Sequence, residues 1–248
     1  MASIRLHCPS TLRQNHVLDL NKQQVHYLFH VMRQHTGDTL IIFNEIDGNW
    51  EATISSISKK NCQLLVTSQL SPPLPSPDIW LCFTPVKQAP MHYLIQKATE
   101  LGVSKFIPVM TQRCIVKNIK TDKYQANALE AAEQSNRTDI PEIASPTDLR
   151  SLLESWPADR TLLMADETGH GEALPTLLHS LAANSPLALL IGPEGGFSPK
   201  EFELCTSYPY IKRVTLGPRI LRADTAAICG LSVCISQTGD WEKKPSFR

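Results

Sequence analysis

Leu189-Leu190-Ile191-Gly192-Pro193-Glu194-Gly195-Gly196-Phe197-Ser198 and Val214-Thr215-Leu216-Gly217-Pro218-Arg219-Ile220-Leu221-Arg222 share one design. Each starts as an apolar run suited to a strand buried on both faces, then turns through Gly-Pro toward a helix. In an open α/β sheet, ligands lie beyond the carboxyl ends of such strands. Two such bends close in sequence predict one small-molecule pocket lined largely by main chain. Neither bend is a Walker loop, because the Gly-Lys-Ser/Thr ending is missing, and neither is a G-x-G-x-x-G fingerprint. A purely structural use, as tight turns between buried elements, is the alternative. Three features argue past it. Ser198-Pro199-Lys200-Glu201 is a capping box with Pro at the first helical position, so a helix starts just beyond the first bend. Glu194 places a carboxylate where a mere turn needs none. Arg219 and Arg222 flank Ile220-Leu221, joining phosphate-binding charge to an apolar surface on which a base can lie.

Outward from these bends, strand and helix signals alternate. Strands are expected at Ile79–Phe83, Phe106–Val109, Thr161–Ala165, Leu187–Ile191 and Val214–Leu216. Helices are expected at Met91–Leu101 (closed by Gly102), Asp122 to about Asn136, near Ala173–Ala182, and Thr225–Gln237. This order predicts an α/β fold with a mostly parallel sheet and helices on both faces. The last helix is apolar on most faces and is expected to pack against another subunit. The tail, Gly239–Arg248, reads as frayed. Upstream, Ser71-Pro72-Pro73-Leu74-Pro75-Ser76-Pro77-Asp78 is a stiff connector. Before it come strands at Thr39–Phe43, Trp50–Ile54 and Gln63–Thr67, with an Asp47-Gly48 hairpin turn. A helix from Lys22 to Arg33 starts at the cap Asn21 and ends before Gly37. These elements suit a small β-barrel, a fold that often holds RNA. The expected domains are therefore 1–72 and 73–240.

With 248 residues and 42% hydrophobic content, the chain can build an ordinary core. No apolar stretch reaches bilayer length and Met1-Ala2-Ser3-Ile4-Arg5 lacks a signal-peptide core, so a cytoplasmic protein without membrane attachment is expected. The 24 Lys/Arg balance the 24 Asp/Glu, which rules out a polyelectrolyte binder as a whole. The charges are nevertheless segregated. Residues 87–140 and 212–248 are rich in Lys and Arg, while 141–211 are strongly acidic, so a local basic face can meet phosphates. The seven Cys form no C-x-x-C pair and several lie in apolar runs, as reduced core thiols do. His26, His30 and His35 fall near helical spacing but lack an acidic or Cys partner in register, so no metal is expected.

Several motifs, in order and spacing, resemble one family. They are Ile95-Gln96-Lys97-Ala98-Thr99-Glu100-Leu101-Gly102-Val103, Gln112-Arg113-Cys114, Glu133-Gln134-Ser135-Asn136-Arg137, Ile191 to Phe197 and Leu216 to Ala227. The family is the bacterial 16S ribosomal RNA uridine N3-methyltransferases of the SPOUT superfamily. Val31-Met32-Arg33 followed by Gly37-Asp38 extends the likeness to the N-terminus, which is similar to that family's PUA-like barrel. The resemblance implies a C-terminal SPOUT domain with a deep trefoil knot, an exception to the rule against threaded chains. It implies S-adenosylmethionine as methyl donor, with S-adenosylhomocysteine as product. The donor would be held by Met164, Ala165, Ile191, Gly192, Pro193, Glu194, Gly195, Gly196, Leu216, Gly217, Ile220, Leu221 and Thr225. It also implies a homodimer through the last helix and 16S rRNA as partner, within a small ribosomal subunit or an assembly particle. In three places the chain departs from the family pattern: Asp224 stands where Glu is usual, Asn136 and Asp139 replace Gly and a basic residue, and Gln88 to Tyr93 lacks the customary charges.

For the reaction, Arg222, with or without Arg219, is placed to stabilise charge on a uracil carbonyl, and Glu194 or Asp224 to accept the N3 proton. Asp224 is alternatively the N-cap of the last helix. Arg5, Arg33, Lys97, Arg113, Lys117, Arg137 and Arg219 are the candidates for the RNA face. Three rival readings remain: a SPOUT enzyme modifying ribose 2′-oxygen or another base, a non-catalytic RNA-binding assembly factor, and, more distantly, a nucleotide-binding oxidoreductase, against which stands the lack of a dinucleotide fingerprint after the first strand.

Overall fold

A computed structural model describes residues 4–182 and 185–243; residues 244–248 of the tail read as frayed lie outside the described residues. The chain divides into two units. Among the described residues, one is formed by residues 4–75 together with Ala132–Ile140, the other by Ser76–Ala131 and the described residues from Pro141 to 243.

The first unit is a five-stranded sheet. Its elements are β1 (Arg5–His7), β2 (Val17–Asp19), α1 (Lys22–His26), a π-helix (Tyr27–Val31), β3 (Thr39–Asn44), β4 (Gly48–Ile57) and β5 (Cys62–Ser71). The strand order is β1-β3-β4-β5-β2, parallel only between β1 and β3. Leu6, Val25, Leu28, Leu40, Ile42, Ile54, Leu64 and Val66 fill its core. Asn21 caps α1 through a capping box, as its sequence requires. The helix expected to run to Arg33 instead widens into the π-turn, where the Met32 N–H donates to the Tyr27 carbonyl, 2.9 Å. Arg33 then leaves it at φ 53°, a left-handed conformation no helix continues through. The β3–β4 turn is Glu45-Ile46-Asp47; Gly48 already pairs with Asn44 inside the strand.

The second unit follows the βα alternation. Its elements are β6 (Ile79–Phe83), α2 (Gln88–Leu101), β7 (Lys105–Met110), α3 (Thr121–Gln134), β8 (Glu142–Ile143), β9 (Thr147–Asp148), α4 (Leu149–Glu154), β10 (Thr161–Ala165), β11 (Glu172–Ala173), α5 (Leu174–Ser180), β12 (Leu187–Ile191), α6 (Pro199–Thr206), β13 (Ile211–Thr215) and α7 (Ala223–Thr238). The order is β11-β13-β10-β12-β6-β7-β8, with β9 beside β7, and every pair is parallel. Gly102 ends α2 at φ 103°, the left-handed C-cap its type predicts.

Side chains alternate across the pleat. Leu81, Phe83, Leu163, Leu189 and Ile191 face α2, α5 and α7, while Cys82, Leu162, Met164, Ala188 and Leu190 face α4 and α6. The strands read as unbroken apolar runs because both faces are covered. The last strand begins earlier than expected: Ile211 is buried in the core on the α4 and α6 face and Val214 in the core on the opposite face. The apolar character of α7 is met largely within the chain. Ala226, Ala227, Gly230, Leu231, Cys234 and Ile235 form its buried face, and α2, α5 and β12 are its neighbours. Cys229 is exposed, so it is not the core thiol expected; the other thiols are buried except Cys114, which is half-buried. No helix among the described residues is long and apolar enough to cross a membrane.

Candidate functional site

β13, β10 and β12 are consecutive and parallel, so their carboxyl ends open at one edge of the sheet. At the usual spacing of about 4.8 Å per strand, the ends of β12 and β13 stand about 10 Å apart with β10 between them. The two Gly-Pro bends therefore meet on either side of the loop that follows Ala165.

The bend after β12 is tightly specified. The Gly196 N–H donates to the Pro193 carbonyl at 2.8 Å, and Gly196 sits at φ 68°. A β-carbon on Gly192 would lie 2.8 Å from the Phe197 ring, so that position accepts little but glycine. Glu201 closes the loop: one oxygen accepts from Ser198 N (2.9 Å) and Ser198 Oγ (2.8 Å), the other from Gln112 N (2.7 Å). Arg113 Nη1 donates to the Gly195 carbonyl at 2.6 Å. The segment after β7 is thus stitched to the bend after β12.

The loop after β10 is held by a buried acid. The Asp166 side chain is 1% exposed, and its Oδ2 accepts Arg213 Nε at 2.9 Å and Nη2 at 2.5 Å. Its Oδ1 accepts the Thr168 N–H at 2.8 Å. Burial alone would raise the Asp166 pKa, but Thr168 and Arg213 together outweigh it and hold the carboxyl below its ordinary value. The Arg213 guanidinium lies 4.7 Å from the Phe202 ring centroid, which anchors the pair to α6.

The bend after β13 is open. Gly217 has φ 104° and no heavy atom within 4 Å of where a β-carbon would stand. Leu221 is half-buried against the core, whereas Ile220 is 86% exposed. The Ile220 side chain thus stands in solvent and makes little contact with the rest of the chain. Arg222 is exposed and occupies the N-cap of α7 without a capping side-chain bond. Asp224 is therefore not the N-cap: it lies in the first turn, where its Oδ1 accepts the Thr225 N–H at 2.8 Å and its charge favours the helix dipole.

Of the other expected donor-site residues, Met164 and Ile191 turn their side chains into the two cores, so a ligand there meets main chain. Ala165, Gly192 and Leu216 are half-buried, and Glu194, Gly195 and Thr225 exposed. Pro193 is buried. Among the RNA candidates, Lys117 and Arg219 are exposed, and Lys97 pairs with Glu100 at 2.8 Å. Arg33, in the first unit, borders a groove of about 350 Å³ shared with Phe29, Gln34, His35, Thr36 and Ile57.

Two candidates do not stand as free RNA contacts. Arg5 is 7% exposed, over the Phe43 ring, and donates to Asn49 Oδ1 (2.6 Å) and to the carbonyls of Ala132 (3.3 Å), Glu133 (3.4 Å) and Arg137 (3.0 Å). Arg137 is 8% exposed and pairs with Asp139 at 2.9 Å. Both guanidiniums are spent on internal acceptors. Conversely, Asp166, Glu167 and Arg213 escaped the sequence reading. Their one signal was position, directly after one expected strand and at the start of another.

The family model for an RNA methyltransferase domain matches residues 72–235, and that for an RNA methyltransferase PUA domain matches residues 20–67. A ribosomal RNA small subunit methyltransferase E of Rickettsia conorii is 33% identical over 92% of this chain and 93% of its own. The Bacillus subtilis protein of the same name is 30% identical over 91% of this chain and 97% of its own. A putative methyltransferase from Legionella pneumophila, solved in complex with S-adenosylmethionine, superposes with a TM-score of 0.87 at 30% identity, covering 97% of this chain and all of that one. A ribosomal RNA small subunit methyltransferase E from Neisseria gonorrhoeae bound to S-adenosylmethionine gives 0.86 at 25% identity, over 96% and 99% of the two chains.

Proposed function

We propose a function from one premise: the chain belongs to the RNA methyltransferase family, beside the ribosomal RNA small subunit methyltransferases E. It is an S-adenosylmethionine-dependent methyltransferase acting on small-subunit (16S) ribosomal RNA, and its target atom is N3 of a uridine. The observation that carries this reading is the shared edge of β13, β10 and β12, where three loops offer main-chain groups and two glycines leave no room for, or open space in place of, side chains. Such an edge fits an adenosyl ligand held by backbone.

When bound, S-adenosylmethionine supplies an electrophilic methyl group. The chain must orient the uracil, exclude water and manage one proton. Arg222, at the mouth of α7, stabilises charge developing on a uracil carbonyl. Glu194, exposed on the bend, accepts the N3 proton, because the Asp224 carboxylate is already engaged by the Thr225 amide. Arg33, Lys97, Arg113, Lys117 and Arg219 supply phosphate contacts. The donor-contacting set is Met164, Ala165, Ile191, Gly192, Pro193, Glu194, Gly195, Gly196, Leu216, Gly217, Ile220, Leu221 and Thr225, acting mostly through main chain. The first 72 residues form the PUA-like RNA-binding barrel, and residues 73–240 the SPOUT domain with its trefoil knot. Two chains pair through α7, whose Ile228 and Val233 keep apolar surface outside the buried face. The enzyme works in the cytoplasm on rRNA within a small subunit or an assembly particle.

Nucleoside mass spectrometry of small-subunit rRNA tests the reading. A strain lacking this gene loses 3-methyluridine and regains it on complementation. Undiminished 3-methyluridine in the deletion strain overturns the assignment. Arg222→Ala is expected to bind S-adenosylhomocysteine nearly as the parent does while turnover collapses; unchanged turnover removes Arg222 from the chemistry.

A further inference from the structure

We propose that Glu167 is a further ligand of the methyl donor, contributing a second carboxylate to the cage beside that of Glu194. The inference rests on the reading of that edge as the donor site. Glu167 follows β10 by two residues, between Asp166 and Thr168. Both neighbours are fixed. Asp166 is buried against Arg213, its main-chain N–H donates to the Val214 carbonyl at 2.9 Å, and its carboxylate accepts the Thr168 N–H. The loop is pinned on each side of Glu167, so the direction of this side chain is set by the buried pair.

That direction is across the neighbouring bend. A β-carbon on Gly196 would collide with Glu167 Oε1, so the carboxylate lies over the face that only glycine leaves bare. On the preceding residue, Arg113 comes from the loop after β7 and binds the Gly195 carbonyl. Glu167 is exposed, and among the described residues its carboxylate makes neither an ion pair nor a hydrogen bond. A surface glutamate with no partner would ordinarily extend into water to keep its rotamer freedom. Here the chain spends a buried Asp–Arg pair on the loop that carries it. A carboxylate is an acceptor-only group, so the partner it suits is a hydrogen-bond donor. The methyl donor offers three kinds: the ribose hydroxyls, the adenine amino group and the α-ammonium.

Titration calorimetry with S-adenosylhomocysteine and with 5′-methylthioadenosine, which lacks the amino-acid end, tests this on the full-length protein. Wild type must bind S-adenosylhomocysteine; failure there overturns the donor site itself. Given that binding, Glu167→Gln is expected to weaken S-adenosylhomocysteine by about tenfold or more, the scale of a hydrogen bond to a charged group. Loss for both ligands assigns the adenosine part, its ribose hydroxyls or adenine amino group, and loss for S-adenosylhomocysteine alone assigns the ammonium. The melting temperature of this exposed-site variant should stay at the wild-type value, which separates ligand contact from structural damage. Wild-type affinity for S-adenosylhomocysteine in Glu167→Gln overturns the inference and leaves the proposed function standing.

Discussion

Arg5 shows how much one side chain's surroundings decide. In sequence it is a cation near the N-terminus; in the fold it is a buried strut between β1 and Ala132–Ile140. Burial pulls its guanidinium down to about 10, which still leaves it charged at neutral pH. Arg5→Met strands the acceptors it serves, and an unfolding titration should show a loss of about 3 kcal/mol. Asp139, a departure from the family pattern, has its own internal use as the partner of Arg137. Asp166 carries a pH signature. Its folded pKa lies below the unfolded value, so its pairing stabilises at and above about pH 3.9 and that contribution is lost as pH falls through the lower folded value. Asp166→Asn should be less stable than wild type at neutral pH, and the gap in denaturation midpoint should narrow below about pH 4. An unchanged gap there would contradict the assignment. Thiols divide just as sharply. Burial pushes Cys8, Cys205 and Cys234 up to about 12 and Cys82 higher still, while Cys229 stands exposed. Cys229 lies on the face of α7 that a single chain leaves open, so peptide mapping after brief iodoacetamide treatment should find it modified well before those four in dissociated protein and protected in an α7-paired dimer.

Elements with strong local chemistry are where sequence and structure agree most closely. The Ser198–Glu201 capping box starts α6 at Pro199, and Gly102 stops α2. What the capping pattern leaves silent is that Glu201 also holds the Gln112 amide from another strand's loop. Ser198→Ala should cost about 1 kcal/mol, the value of an N-cap. Glu201→Ala should cost more, because three amide or hydroxyl donors lose their acceptor. Equal midpoints for the two variants in urea would show the Gln112 contact to be idle. At α7, periodicity alone showed only an apolar helix and suggested a partner subunit. The fold supplies neighbours from its own chain, close enough that a β-carbon on Gly230 would stand 2.7 Å from Leu189 Cδ2. Short elements were illegible for a different reason. β1 and β2 span three residues each, too few for any alternation to register, and the π-turn after α1 has no compositional mark.

Across the whole molecule, the RNA contacts proposed above are cations from basic segments of a chain of zero net charge. RNA affinity should therefore fall linearly in log–log terms with salt, and removing one true phosphate contact, such as Lys117→Ala, should lower the slope by roughly 0.7–1. A slope unchanged in that variant would take Lys117 off the RNA. The sequence by itself determined the alternation of buried strands and helices, the proline-rich connector and the pair of Gly-Pro bends. Each of these is written in contiguous residues, through period, capping and turn chemistry. Only the tertiary structure decided that β10 lies between the two bends, that Asp166 and Arg213 pair beneath them, and that Ala132–Ile140 belongs to the first unit. Those facts depend on which strand pairs with which and on what then becomes buried. Burial of a charge or the approach of distant loops has no local trace, because its energy comes from groups far apart along the chain.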